Sequence, residues 1–258
     1  MKIIRSNGAA SIKQLAVRLG VSEMTIRRNL RDLCETGVLR MMNGVAFCSS
    51  DYNEDVYNLA EQQIVCAAQK AAIGRKAASL IEPGDTVFID CGTTADAMLR
   101  YIPQNMDITV ICSSLNVAIA MQKKNVSQLI FSGGHYYPAT QTFVSPDSVR
   151  MLSNMRTNKA FVTAAGISQN LGVTCAHEYE VAIKQVALSN TARGILLADS
   201  SKFGKVSPAY FAMPSQMAAV ITDDGLSKDW LTLLQGDGID VIRVAPLMVL
   251  PSASGINP

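Results

Sequence analysis

Residues 15–28, with the sequence LAVRLGVSEMTIRR, most strongly constrain what this chain can fold into. Gly20 divides the stretch in two, and glycine enters left-handed backbone conformations at little cost. Ser22 is a good N-cap, because a serine hydroxyl accepts a hydrogen bond from a free amide in the first turn of the next helix. The pattern therefore predicts two short helices joined by a tight turn, which is a helix-turn-helix.

The second predicted helix is basic on one side. Arg27, Arg28 and Arg31 follow the turn, on a short frame of apolar residues. Arginines on the second helix of such a pair are the usual means of placing side chains in the DNA major groove. Helical hairpins with a few arginines also occur in proteins that bind no nucleic acid, so this pattern alone leaves both interpretations open.

The flanking residues favour a complete DNA-binding unit. Ser11 and Gln14 have the spacing of a capping box at the start of the first helix, and Gly37 is placed to end the second. Residues 38–47 then predict two short strands around an Asn-Gly turn. A helix-turn-helix followed by such a hairpin is a winged helix, and Arg40 lies where a wing would approach a phosphate. The predicted DNA contacts are Ser22, Glu23, Thr25, Arg27, Arg28, Arg31 and Arg40.

The charge distribution agrees with this prediction. The first 47 residues contain eight basic and three acidic side chains, a net charge of +5, whereas the whole chain carries +2. A basic N-terminal unit on a mildly acidic remainder is typical of a DNA reader joined to a domain that does not face DNA.

The length of 258 residues allows one small and one medium domain. We expect a winged helix-turn-helix domain over 1–47, a polar linker over 48–58, a larger domain over 59–244 and a flexible tail over 245–258. No apolar run reaches the roughly 18 residues of a membrane span, and no signal-peptide pattern is present, so we expect a cytoplasmic protein. The six cysteines show no C-x-x-C spacing and the chain has two histidines, which predicts free thiols, no metal and no cofactor.

The larger domain alternates apolar strands with helical segments. Such alternation is typical of an α/β domain with a mostly parallel sheet that is covered on both faces. The predicted helices are 59–81, 116–123 and 178–189. The predicted strands are 86–89, 107–112, 128–132, 159–164, 194–199, 218–222 and 240–244.

Polar and glycine residues follow several of these strands. Open α/β sheets bind ligands at the carboxyl ends of their strands, and residues 90–94, 113–116 and 133–134 would meet there. Hydroxyls, glycine amides and a helix start suit an anion, and Lys202 and Lys184 would supply charge. Each motif alone is commonly an ordinary turn, but their recurrence in one sheet favours a site. The absence of phosphate-loop and dinucleotide motifs favours a small phosphorylated sugar over a nucleotide.

The combined motifs resemble the DeoR family of bacterial transcriptional repressors. They are VSEMTIRR at 21–28, DCGTT at 90–94, Gly133-Gly134, and DSSKFG at 199–204, and the similarity runs from about residue 8 to 244. The resemblance implies a C-terminal sensor domain similar in fold to ribose-5-phosphate isomerase and CoA transferases. It also implies a short first helix here, because the family usually has about two more helical turns before residue 7. By position, the implied effector-binding residues are Asp90, Gly92, Thr93, Thr94, Ser114, Asn116, Gly133, Gly134, Lys184 and Lys202.

Two functions follow from these observations. The first is a homo-oligomeric repressor of a sugar or deoxynucleoside catabolic operon, released from operator DNA by a phosphorylated sugar such as deoxyribose 5-phosphate. The second is a sugar-phosphate isomerase or CoA-transferase-like enzyme with an accessory DNA-binding head, since fold alone does not decide function. A catalytic carboxylate would favour the enzyme, and Glu178 and Glu180 lie near the predicted pocket. Glu180 and Lys184 also have the spacing of an ordinary helical ion pair, and the helix-turn-helix favours a repressor that is not an enzyme.

Overall fold

A computed structural model describes residues 4, 9–35, 39–42, 44–48, 63 and 65–246 of the chain. Gly37, nearly all of the predicted linker and most of the predicted tail lie outside the described residues. The α-helices are α1 (Ile12–Leu19), α2 (Glu23–Glu35), α3 (Ala67–Ala78), α4 (Thr93–Leu99), α5 (Leu115–Lys124), α6 (Pro146–Ser153), α7 (Val181–Ser189) and α8 (Lys228–Gly236).

The strands are β1 (Ala9–Ser11), β2 (Leu39–Met42), β3 (Val45–Cys48), β4 (Thr86–Ile89), β5 (Thr109–Cys112), β6 (Gln128–Phe131), β7 (His135–Tyr137), β8 (Thr142–Val144), β9 (Thr157–Thr163), β10 (Gly166–Ser168), β11 (Gly172–Cys175), β12 (Thr191–Leu197), β13 (Ala209–Ala212), β14 (Ala219–Asp223) and β15 (Asp240–Val244). Within the described ranges, every helix is too short or too polar to span a lipid bilayer.

The N-terminal part is a winged helix, as predicted. The Ser11 hydroxyl accepts from the amide of Gln14, and the Gln14 side chain accepts from the amide of Ser11, so the capping box is confirmed. Gly20 ends α1 in the left-handed conformation, at φ 65°. Strands β2 and β3 form the predicted antiparallel hairpin, and β1, which the sequence did not predict, adds a third strand beside β3. A small core fills the space between the helices and this sheet: Ile4, Ala10, Ile12, Leu15, Ala16, Ile26, Leu30, Leu39 and Ala46.

The larger domain contains a seven-stranded sheet in the order β15-β14-β12-β9-β4-β5-β6. Every pairing in it is parallel, which confirms the predicted fold class. From β4 the chain proceeds to β5 and β6 on one side, and later to β9 on the other side. The strand order therefore reverses beside β4, and open α/β sheets bind ligands at the carboxyl ends of strands next to such a reversal.

Both faces of this sheet are buried. Val87 and Ile89 pack on one face with α3, α4 and α5, whereas Phe88, between them, packs on the opposite face near α6 and α7. Alternation along a strand sends neighbouring side chains to opposite faces, so a strand that is apolar throughout must be covered twice. The continuous apolar run of β4 is explained by this double coverage.

Several elements of the larger domain were not predicted. The hairpin β7–β8, the antiparallel sheet β10-β11-β13 and the helices α6 and α8 have no counterpart in the predicted set. Two predicted helices were too long: α3 ends at Ala78 rather than at Ile81, and α7 begins at Val181, after a 3₁₀ turn over Glu178–Glu180. The three-residue strands β7, β8 and β10 carry too little periodicity to be identified from sequence.

Candidate functional site

The outward face of α2 carries the three arginines among its predicted DNA contacts. Arg27, Arg28 and Arg31 are exposed, while Ile26 and Leu30 on the opposite face are buried in the small core. This arrangement leaves the guanidinium groups directed away from the domain. A basic, outward-facing second helix is the arrangement with which a helix-turn-helix contacts DNA.

The start of α2 is fixed by its own side chains. The Ser22 hydroxyl accepts a hydrogen bond from the amide of Thr25 at 3.2 Å, and the two hydroxyls lie 2.9 Å apart. Ser22 is therefore an N-cap, as predicted, and Glu23 beside it is exposed. Arg40 lies on β2, within the hairpin that forms the wing, but its side chain is outside the described atoms.

A partly enclosed cavity of about 50 Å³ lies at the carboxyl ends of β4 and β9 in the larger domain. Its position agrees with the predicted site at the edge of the sheet. The residues that line it are Cys91, Gly92, Thr93, Thr94, Thr140, Thr163, Ala164, Ala165, Cys175, Ala176, Glu180, Lys184 and Lys202. Five of the ten predicted effector residues are among them: Gly92, Thr93, Thr94, Lys184 and Lys202.

The loop at the end of β4 forms one wall of the cavity. Gly92 precedes α4 with φ 120°, a conformation that side-chain-bearing residues rarely adopt. A Cβ at this position would lie 2.6 Å from the Thr163 hydroxyl, so the close approach also requires glycine. The first amides of α4 have no acceptor within the helix, and the hydroxyls of Thr93 and Thr94 lie beside them. Together these groups can donate several hydrogen bonds to an anion.

Asp90 lies beneath this loop and does not line the cavity. Its carboxylate accepts hydrogen bonds from the amide and the hydroxyl of Thr163, at 2.9 and 3.0 Å, and forms an ion pair with Lys184. Burial by itself would lower the pKa of Lys184, but the charges of Asp90 and its other neighbours raise that pKa well above the usual lysine value. Lys184 therefore remains charged, and Asp90 holds it in place.

Glu180 is the carboxylate that lines the cavity. It lies 3.5 Å from the Lys184 ammonium group, so the predicted Glu180–Lys184 pair is formed, but in the protein interior rather than on a helix surface. Its two oxygens also accept from the Cys91 thiol at 3.3 Å and from the amide of His177 at 3.2 Å. Burial, together with the charges of Asp90 and Glu180, raises the pKa of the Cys91 thiol well above its usual value, which keeps this thiol protonated.

Lys202 reaches the cavity from the segment that follows β12. In the sheet, β12 lies on the other side of β4 from β5. Lys202 lies in a 3₁₀ turn over Ser200–Lys202, and Asp199 caps that turn by accepting from the amide of Ser201 at 3.1 Å. A second lysine, Lys70 on α3, is buried nearby. Burial, and then the charge of Lys202, lowers the pKa of Lys70. The positive charges of Lys70 and Lys202 therefore repel each other.

Besides Asp90, four predicted effector residues lie outside the cavity lining. Ser114 forms an isolated bridge with Thr142, because the unpredicted hairpin β7–β8 covers the end of β5. Asn116 instead donates a hydrogen bond to Asp96 on α4 at 3.0 Å. Gly133 and Gly134 connect β6 to β7, and a Cβ on Gly134 would lie 2.6 Å from the backbone of Val144. The structure thus gives Gly134 a role in the packing of the hairpin, whereas an added Cβ on Gly133 would meet nothing within 4 Å.

Several lining residues were missed from sequence. Thr140 lies in the tip of the β7–β8 hairpin, and its hydroxyl is 3.1 Å from that of Tyr179. Thr163 ends β9 of the seven-stranded sheet, and Cys175 ends β11 of the antiparallel sheet. No local motif marks these three residues, and only the packing of three separate sheets brings them to the cavity.

The chain matches known proteins along most of its length. Residues 65–224 match the family model described as the DeoR C-terminal sensor domain, and residues 1–51 match the DeoR-like helix-turn-helix domain. The chain is 33% identical over 212 residues to the deoxyribose operon repressor of Escherichia coli (strain K12), covering 82% of this chain and 83% of that protein. The resemblance inferred from the motifs is therefore confirmed.

Two further similarities were found. The lactose phosphotransferase system repressor of Staphylococcus epidermidis (strain ATCC 12228 / FDA PCI 1200) is 32% identical over 225 residues, covering 86% of this chain and 89% of that protein. Among solved structures, ribose 5-phosphate isomerase A from Methanocaldococcus jannaschii matches with a TM-score of 0.38 and 15% identity, covering 52% of this chain and 53% of that one.

Proposed function

The chain belongs to the DeoR family of transcriptional regulators, and we propose that it represses a catabolic operon and leaves its operator when a phosphorylated sugar occupies the cavity beside β4. One observation carries the proposal. The Gly92 loop, the hydroxyls of Thr93 and Thr94, and Lys202 converge on a single cavity within the sensor domain. The exposed arginines of α2 supply the DNA-binding surface of the same chain.

The chemistry of the cavity favours a phosphate. Amide and hydroxyl donors at the start of α4 suit the oxygens of an anion, and a helix N-terminus adds a favourable dipole. Lys184 is already neutralised by Asp90 and Glu180, so the proposal assigns the phosphate charge to Lys202. Hydrogen bonds between an ammonium group and a phosphate are about twice as strong as bonds between neutral groups.

The small size of the cavity suggests how binding is linked to DNA release. Its volume of about 50 Å³ is well below the roughly 300–1,000 Å³ of most small-molecule sites. A sugar phosphate must therefore widen it, by moving the β7–β8 hairpin that carries Thr140 or the turn that carries Lys202. A ligand shifts an equilibrium only when it binds the two states differently, and here it would favour the wider state. The proposal requires that this state bind DNA more weakly.

The kind of operon, the effector, the oligomeric state and the location of the protein are also proposals. The similarity to the deoxyribose operon repressor supports the proposal that the chain controls an operon of sugar or deoxynucleoside catabolism. For the same reason, deoxyribose 5-phosphate is the first effector to test. A helix-turn-helix protein commonly reads two half-sites as a symmetric dimer, which favours a homo-oligomer. A repressor acts where its operator lies, so the proposal places the protein in the cytoplasm.

The enzyme alternative requires an available carboxylate in the cavity. Glu180 is the carboxylate in the lining, but both of its oxygens already accept hydrogen bonds and it neutralises Lys184. Glu178 is not part of the lining. These contacts support a regulator over an isomerase or CoA-transferase-like enzyme.

Calorimetry on the full chain tests the effector assignment. Deoxyribose 5-phosphate should bind measurably and free deoxyribose should not, because the free sugar leaves the anion donors empty. Lys202→Ala should weaken binding of the phosphorylated sugar at least about tenfold, since it removes a charge-assisted contact. Lys205→Ala is the matched control, because Lys205 is exposed on the same segment and does not line the cavity.

A DNA-release assay completes the test. The phosphorylated sugar should dissociate the unmodified protein from a duplex that it binds, and should fail to dissociate Lys202→Ala at the same concentration. Equal affinity for both sugars would contradict a phosphate-anchored cavity. A panel of pentose and hexose phosphates, none of which binds, would remove the effector proposal altogether.

A further inference from the structure

Met24 is the second residue of α2, and its side chain is 75% exposed. Val17 on α1 is similarly exposed, at 79%, so Met24 is distinguished by its position on the basic face of α2 rather than by its exposure. Helical residues advance by about 100° each, which sets Met24 about 160° from Ile26 and about 120° from Leu30 around the helix, and in line with Arg31. Arg27 and Arg28 lie on either side of this line, and all three arginines are exposed.

We propose that Met24 contacts the C5 methyl group of a thymine in the major groove and so specifies one base pair in each half-site. This inference rests on the proposed DNA binding by α2. In a helix-turn-helix, the N-terminal residues of the second helix contact the base edges, and Met24 lies in that first turn. The thymine methyl is the one apolar group among the base edges of the major groove.

Other side chains of the first turn are less available for this contact. Ser22 and Thr25 bond to each other, and the Ser22 hydroxyl also caps the helix. A thioether offers no hydrogen-bond donor, so Met24 gains little from the polar base edges but gains from excluding water beside a methyl group. The positive charges of Arg27 and Arg28 on both sides favour a polyanion over an apolar protein surface as the partner of this face.

The experiment starts by selecting duplexes from a random library with the full chain. In the selected duplex, each thymine is replaced singly by deoxyuridine, which lacks only the methyl group. For the unmodified protein, one such replacement in each half-site should weaken binding about three- to fivefold, as expected for one buried methyl group. Met24→Ala should bind the thymine duplex more weakly by a similar factor and should lose this sensitivity to deoxyuridine.

Two further variants keep the result interpretable. Met24→Leu retains an apolar side chain of similar size and should retain sensitivity to deoxyuridine. Met213→Ala makes the same chemical change at an exposed position of the sensor domain and should behave as the unmodified protein. Unchanged binding of random duplex by Met24→Ala at low salt shows that its winged helix is folded.

The possible failures are distinct. If selection enriches no duplex, sequence-specific DNA binding fails and the proposal falls with it. If a duplex is enriched but no deoxyuridine weakens binding, or if Met24→Ala remains as sensitive as the unmodified protein, the thymine contact is refuted while DNA binding stands. If Met24→Ala changes the assembly of the protein instead, the exposed side chain serves contacts between copies of the chain.

Discussion

Lys184 on α7 forms an ion pair with Asp90 at the end of β4, across 94 residues of sequence, and each side chain is only 1% exposed. Glu180 is the third member of this buried group, 3.5 Å from the same ammonium. The group lies under the Gly92 loop and fixes α7 against the carboxyl end of the sheet. Its geometry gives Lys184 a structural role in the cavity wall, which supports the proposal that Lys202, rather than Lys184, contacts the ligand.

Lys184→Met tests this division of roles. Removing one partner of a buried ion pair leaves uncompensated charge, which typically costs about 3–5 kcal/mol. We therefore expect a loss of that size in the free energy of unfolding of the sensor domain, measured by urea denaturation. Arg193→Gln, which removes an exposed ion pair with Asp240, is the control and should cost at most about 1 kcal/mol. Equal effects of the two variants would contradict a structural role for Lys184.

Gly92→Ala should be destabilising for two reasons. The backbone at φ 120° is strained for alanine, and the added Cβ would lie 2.6 Å from the Thr163 hydroxyl. We expect a loss of more than about 2 kcal/mol in the free energy of unfolding, together with weaker phosphate binding. Gly204→Ala is the matched control, since Gly204 has φ +80° but nothing within 4 Å of an added Cβ. That variant should lose about 1 kcal/mol.

A result in which Gly92→Ala is no less stable than Gly204→Ala would show that the loop can relax around the new methyl group. The requirement for glycine at position 92 would then concern backbone conformation alone. Denaturation of both variants under identical conditions separates the two contributions.

The sequence-based predictions were accurate for features that depend on residues near in sequence, and less accurate for features that depend on contacts between distant residues. Local signals were read correctly, such as the Ser11–Gln14 capping box and the strands β4 and β15, whose bounds were predicted without error. The carboxyl edge of the sheet was also identified, because it depends only on the direction of parallel strands. Interactions between residues near in sequence leave a pattern that can be recognised without the fold.

Long-range packing produced the errors. Ser114 and Gly133 were assigned to the effector cavity because they follow strands, but the β7–β8 hairpin covers that part of the edge: the amide of Phe143 donates to the carbonyl of Ser113 at 2.8 Å. A three-residue strand gives no periodic signal, so the hairpin was missed. Helix α6 was different, since Ser145 and Ser148 form a capping box that could have predicted its start.

Asp96 provides a test by pH. Burial raises the pKa of this carboxyl above the usual 3.8, although hydrogen bonds from Asn116 and Gln63 oppose the shift. A carboxyl with a raised pKa binds its proton more tightly in the folded state. Its stabilising contribution is therefore present below the usual pKa and is lost as the pH rises through the raised one. At neutral pH, the charged Asp96 destabilises the domain relative to its protonated form.

Asp96→Asn removes this ionisation. The free energy of unfolding of the variant, relative to the unmodified protein, should therefore increase as the pH rises above about 4, until the pH exceeds the raised pKa of Asp96. Urea denaturation at several pH values measures this difference. Asp147→Asn, at an exposed position, is the matched control for the exchange of carboxylate for amide. A difference that stays constant or falls with rising pH would mean that the Asp96 carboxyl is not penalised by burial.

Arg27 and Arg28 should contribute to DNA binding in one of two distinguishable ways. If an arginine contacts a base edge, its replacement by alanine should cost about 1–3 kcal/mol on the selected duplex and relax sequence preference at one position. If it contacts a phosphate, binding to selected and random duplexes should weaken alike, and the slope of log affinity against log salt should fall by about one. Titrations of Arg27→Ala and Arg28→Ala on both duplexes at several salt concentrations separate these outcomes.

Arg150→Ala, at an exposed position of the sensor domain, is the control for both arginine variants. Unchanged affinity of both α2 variants for both duplexes would exclude this helix from the DNA interface.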